Sequence, residues 1–200
     1  MIDEKRIEEA KRNVKRYIAD GLLKVNDKEI KNFIDFYLKN SETSLQTASL
    51  LFQISTDEKL KEELKISKDF ECYLWVIVSS YYSMFYMALA LLATEGIRVG
   101  KEIVHKVTAD ALINFFIANE KLAKLLEDYE EMRKDVMELL GKEELKRKAR
   151  ELISDYEYER RKRSKFQYEI GVSARQSYAQ TSLERAKKFF FEIRKLIKKL

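Results

Sequence analysis

Cys72-Tyr73-Leu74-Trp75-Val76-Ile77-Val78-Ser79-Ser80-Tyr81-Tyr82-Ser83-Met84-Phe85-Tyr86-Met87-Ala88-Leu89-Ala90-Leu91-Leu92-Ala93 runs for 22 residues without a charged side chain. That length suffices to cross a bilayer as a helix. A membrane span therefore competes with a helix buried on all sides in a folded core. Four tyrosines (73, 81, 82 and 86) and three serines (79, 80 and 83) lie along the run, whereas membrane helices gather tyrosine at their ends. With no second segment of this kind in the 200 residues, the run reads as a central core helix without a membrane partner.

The flanking sequence favours helix throughout. There is no proline, and there are only five glycines, so the residues that most often interrupt helices are nearly missing. Ile7, Ala10, Val14, Tyr17 and Ile18 recur at helical spacing before Gly21, a suitable C-terminal cap. Beyond the capping pair Asn26-Asp27, apolar residues from Ile30 to Tyr37 and from Leu45 to Phe52 predict a long helix with a break at Asn40-Ser41. Ser55-Thr56-Asp57-Glu58 has capping-box spacing and predicts a short charged helix over 56–65.

On the C-terminal side, Gly96 and Gly100 bracket a loop, and Ile103 to Phe116 continue helically. Two helices are predicted over 120–139 and 142–163. Ser173-Ala174-Arg175-Gln176 then opens a last helix, with Ala179, Leu183, Ala186, Phe190, Ile193 and Ile197 in one apolar stripe. The fold class is all-α: an up-and-down bundle of four or five core helices in residues 67–200, with residues 1–66 as a helical extension packed on it.

A composition of 46% hydrophobic and 36% charged residues supports a folded core. The single cysteine, Cys72, excludes an internal disulfide, and no His/Cys cluster exists to hold a metal. Neither metal nor cofactor is expected. Charged residues from Asp3 to Arg6 replace any signal-peptide core, so a cytoplasmic location is expected. The net charge of +5 is mild, and interspersed Lys and Glu also describe a heat-adapted surface.

Tyr81-Tyr82-Ser83-Met84-Phe85-Tyr86-Met87-Ala88-Leu89-Ala90-Leu91-Leu92 resembles the first core helix of HEPN proteins. Lys101-Glu102-Ile103-Val104-His105-Lys106 resembles the family's next element, where a histidine often opens a helix. Arg163-Ser164-Lys165-Phe166-Gln167-Tyr168, followed by the last helix, resembles its closing motif. The likeness covers roughly residues 70–197. It implies a HEPN-like bundle that tends to homodimerise, in a family whose members include ribonucleases and toxins paired with a small nucleotidyltransferase.

The HEPN ribonuclease motif is Arg, four to six residues, then His. Histidine titrates near neutrality, and a guanidinium stabilises charge on phosphorus. At the matching place this chain has Arg163 and Tyr168. A phenol with a reference pKa of about 10 is a general base only ~0.1% of the time at pH 7. The two residues should also project about 140° apart on a regular helix, so a shared site requires the chain to leave the helix between them, near Gly171 and Ser173.

Arg98 and His105 satisfy the same spacing across a loop, and His105 is the sole histidine. Arg163, Tyr168 and His105 are thus the candidate catalytic residues. Arg160, Arg161, Lys162 and Lys165 are the candidate phosphate contacts, with Tyr156, Tyr158 and Phe166 as stacking groups. Glu157, Glu159 and Glu169 should weaken that field. Ser79, Ser80 and Ser83 have no partner at nucleophile spacing and read as hydroxyls bonded within a buried helix.

The expected function is an RNA- or nucleotide-binding component of a toxin–antitoxin-like system, with weak or no nuclease activity. The alternatives are an active metal-independent endoribonuclease toxin and a non-catalytic partner of a nucleotidyltransferase.

Overall fold

The computed structural model describes residues 2–132, 142–168 and 174–198. The protein is 80% helical, an all-α bundle. Helix α1 spans Glu4–Ala19, α2 Ile34–Thr56, α3 Glu58–Glu63, α4 Tyr73–Thr94, α5 Val104–Leu112, α6 Lys121–Met132, α7 Lys142–Tyr168 and α8 Gln176–Ile197. A 3-10 helix, Lys28–Phe33, precedes α2, and a π-helical turn, Ile113–Ile117, follows α5.

The uncharged run is α4, the one described helix long and apolar enough to cross a membrane. Here it is enclosed by protein: Val76, Ile77, Tyr81, Met84, Met87, Ala88, Leu91 and Leu92 have no accessible surface. Helices α2, α7 and α8 pack along it. Each large apolar side chain so enclosed stabilises the fold by roughly 1.5–3 kcal/mol. Small residues let α2 approach closely, with Ser41 and Ala48 fully buried in the seam. The hydroxyl of Ser41 donates to the carbonyl of Ser83 at 2.8 Å. Two serines of α4 thus differ from expectation: Ser83 bonds across helices, and the buried hydroxyl of Ser80 has no partner among the described residues.

Ile7, Ala10, Val14, Tyr17, Leu45 and Ala48 belong to the same apolar cluster as α4 and α8. Helix α2 is also unbroken at Asn40-Ser41, because Ser41 turns its hydroxyl onto α4 rather than onto its own backbone. Asp57, not Ser55, caps α3 by accepting from the amide of Leu60 at 3.1 Å. Ser55 instead accepts from the amide of Cys72 at 3.0 Å.

Gly21 does end α1. With φ at +71° it places the amide of Leu22 on the carbonyl of Tyr17 at 2.8 Å, a Schellman cap. The chain then makes a two-residue antiparallel ladder that periodicity did not reveal, Leu23–Lys24 (β1) with Arg98–Val99 (β2). Gly100 belongs to this junction, since a Cβ there would lie 3.0 Å from the carbonyl oxygen of Leu22. The expected Ser173 cap falls outside the described residues, and α8 begins after Arg175.

A buried ionic network ties α1 to the rest. The fully buried Asp110 accepts from Arg6 at 2.6 Å, Asn13 at 2.9 Å and Tyr17 at 3.0 Å, and Arg6 also reaches Glu157 at 2.7 Å. Burial and the Asp110 carboxylate push the Tyr17 phenol up to about 12, so it remains a donor. Replacing Asp110 by alanine takes the acceptor from Asn13 and the buried Tyr17 and leaves Arg6 with its glutamate partner alone. We expect Asp110→Ala to cost about 3–5 kcal/mol in urea denaturation, whereas Lys11→Ala, which removes an exposed pair with Glu8, should leave the midpoint unchanged.

Candidate functional site

Helix α7 carries the charged run, and its two flanks have different surroundings. At 100° per residue, Tyr156, Arg160, Arg163 and Gln167 fall within about 60° of one another, while Tyr158, Arg161 and Lys165 lie on the opposite side. The first set faces Tyr81 and Tyr82, midway along α4, and the start of α5.

Arg163 is only 4% exposed. Its Nη1 donates to Gln167 Oε1 and to Tyr168 Oη, both at 3.0 Å. The guanidinium carbon lies 5.2 Å from the ring centre of Tyr81, 5.7 Å from Tyr82 and 5.5 Å from Tyr168. The chain does not leave the helix between Arg163 and Tyr168, since α7 continues to Tyr168. Two long side chains bridge the 140° that separates their Cα–Cβ directions. Tyr168 does not pack on the core; it is 66% exposed and forms the outer lip of the cluster.

His105 joins the same cluster. It is the second residue of α5, after Ile103, whose φ of +40° is a left-handed conformation rare for a β-branched residue. The imidazole sits 4.6 Å from the ring of Phe85 and 5.4 Å from that of Tyr81. Its Nδ1 is 2.9 Å from the Tyr81 hydroxyl. Burial, together with the positive field of Arg163 and Arg160, pulls His105 down to about 4. Burial pushes Tyr81 up to about 12. At neutral pH the pair is therefore a neutral imidazole and a neutral phenol, with Tyr81 suited to donate to Nδ1.

The structure thus gathers Arg163, Tyr168 and His105, but the pairing of Arg98 with His105 is not seen. Arg98 donates to Asp27 at 2.6 Å instead. The basic run is also split. Arg160 is half-buried on the Arg163 flank, Arg161 and Lys165 are exposed on the other, and Lys162 is buried. Lys162 donates to the carbonyl of Tyr178 at 2.7 Å and to Ser182 at 2.8 Å, so it clasps α7 to α8 rather than forming part of an open basic surface.

Tyr156 is fully buried and cannot stack on a base. Glu157 and Glu159 are already engaged, by Arg6 and by Arg185 at 2.9 Å, and so weaken the field less than their positions suggest. Glu169 and Gly171 lie outside the described residues.

Sequence reasoning missed Gln167 and the service of Tyr81, Tyr82 and Phe85. The i,i+4 spacing of Arg163 and Gln167 was the one available signal. Among the described residues no carboxylate lies within 4 Å of Arg163 or Arg160, and the buried Nε of each has no hydrogen-bond partner. No group of three metal-binding side chains occurs among the described residues. No protein-family model, curated protein or solved structure matches the chain.

The only imidazole in the protein gives a clean reporter. In NMR titration its ring protons should follow a pKa near 4, and Arg163→Gln should raise it by removing positive charge. Because protonation is disfavoured in the folded state, His105 contributes stability that is complete above about 6.5 and is lost as pH falls toward 4. Denaturation of His105→Asn across that window should show a shallower slope, by on the order of 1 kcal/mol after allowing for solvent screening of a half-exposed ring.

Proposed function

We propose that the chain is a HEPN-like protein that binds RNA or a nucleotide at the Arg160–Arg163 flank of α7, with weak or no nuclease activity of its own. One observation carries this reading: Arg163 is buried, and among the described residues no carboxylate lies within 4 Å of it. Taking an ion out of water costs several kcal/mol. Three aromatic rings and two neutral hydrogen bonds offset only part of that. A phosphate between Arg160 and Arg163 would complete the compensation, and Tyr168, whose oxygen accepts from Arg163, keeps its own proton to donate.

The weak-nuclease part follows from the acid–base groups. An imidazole whose pKa lies near 4 holds no proton to deliver at neutral pH and is a poor base. The endoribonuclease reading is favoured by one fact, that the sole histidine shares a cluster with Arg163. Anion binding would supply negative charge to the field that depresses His105 and so raise its pKa. The family resemblance, rather than any contact within the chain, motivates the further proposals of a cytoplasmic homodimer and a nucleotidyltransferase partner in a toxin–antitoxin-like system.

If Arg163 serves a ligand rather than the fold, its removal should not harm the free protein. Arg163→Met is expected to hold or raise the urea midpoint, by about 1 kcal/mol. It should also weaken binding of a fluorescent single-stranded RNA at least about tenfold and flatten the salt dependence by roughly 0.7 per lost phosphate contact. A destabilised variant with intact RNA affinity would make Arg163 structural. Incubation of structured RNA without metal, beside His105→Ala, tests the rival: cleavage that disappears in the variant establishes the ribonuclease, and no cleavage by either removes it.

A further inference from the structure

The opposite flank of α7 holds a groove that shares no residue with the Arg163 cluster. A cavity of about 360 Å³ is lined by Tyr158, Arg161, Lys162, Lys165, Phe166 and Tyr178, a size within the range of small-ligand sites. Its two tyrosines are half exposed yet held in place. The Arg185 guanidinium carbon lies 4.3 Å from the ring centre of Tyr158, and Phe166 packs against Tyr178 with ring centres 5.3 Å apart.

Between the tyrosines sits the Lys162 ammonium, 5.8 Å from the Tyr158 ring centre and 5.7 Å from that of Tyr178. Ser182, which receives the Lys162 bond, donates in turn to the fully buried Glu159. Floor and walls are thus fixed before any ligand arrives. The rim is not neutralised: Arg161 approaches Glu157 only at 4.0 Å, and Lys165 has no ion pair among the described residues.

We infer that this groove takes a single nucleotide unit, the base stacked against Tyr158 and Tyr178 and the phosphate held by Arg161 and Lys165. Aromatic walls present a flat π surface that every nucleobase can cover, and cations at the mouth meet the phosphate attached to it. An acidic peptide would satisfy the rim but has no planar face for the walls. The inference rests on the nucleotide-binding reading proposed above and deepens it, because a bound strand would engage both flanks of one helix.

Calorimetric titration with AMP, adenosine and inorganic phosphate tests it. The native chain should bind AMP about tenfold or more tightly than either fragment, since both halves of the site are needed. Tyr158→Ala and the fold-neutral surface change Lys165→Glu should each weaken AMP roughly tenfold, while Lys11→Ala on α1 should not. No AMP binding at millimolar concentration, or AMP affinity indifferent to both groove variants, overturns the groove. In that case RNA affinity sensitive to Arg163→Met would leave the proposed function standing. Conversely, AMP binding lost with Tyr158→Ala alongside RNA binding indifferent to Arg163→Met would keep the groove and remove the Arg163 site.

Discussion

Helix α4 has no polar side to leave in water, so α2, α7 and α8 are arranged as its cover. An ordinary surface helix needs one partner and hides one stripe; α4 needs partners around most of its circumference. Helix α2 supplies one through a seam of small residues, α8 supplies another through its apolar stripe, and α7 a third. Helix α2 therefore belongs to the core itself, because without it a face of α4 would be exposed, and α1 joins the same apolar cluster by packing on α5 and the turn that follows it.

Covering α4 has an electrostatic consequence for α7. That helix is dense in charge, yet it lies against the most apolar element of the protein, and Glu157, Glu159, Lys162 and Arg163 are all buried. Three of the four are compensated by partners from other helices: Arg6 for Glu157, Arg185 for Glu159, and Ser182 with the Tyr178 carbonyl for Lys162. Among the described residues Arg163 has rings and neutral oxygens instead. Since buried ions are normally paired, this asymmetry within one helix is what sets Arg163 apart from its neighbours and motivates the ligand proposed for it.

The same crowding sets the chemistry of His105. Its imidazole is placed by a strained turn at Ile103, bonded by a buried phenol and surrounded by aromatic rings and two cations. Burial and the two cations disfavour the charged form, so the residue whose free pKa best suits proton transfer is held neutral. The positive field that would attract an anion is, for that reason, a poor one for a histidine acid.

The helices, their apolar faces and the buried identity of α4 were legible in the sequence, because periodicity and the lack of breaking residues are local properties of the chain. The caps at Gly21 and Asp57 were nearly so, the second displaced by two residues because Ser55 was drawn away by Cys72. Arg163 and Tyr168 were singled out by the resemblance to the HEPN motif and His105 as the sole histidine, but spacing on an ideal helix argued against Arg163 and Tyr168 meeting. Only the folded chain decided that they do, since the reach of long side chains and the approach of α4 and α5 exceed what a helical wheel represents. Likewise, which cations of the run from Arg160 to Lys165 face solvent was settled by tertiary packing. A charge reads the same in sequence whether its partner is water or a residue twenty places away.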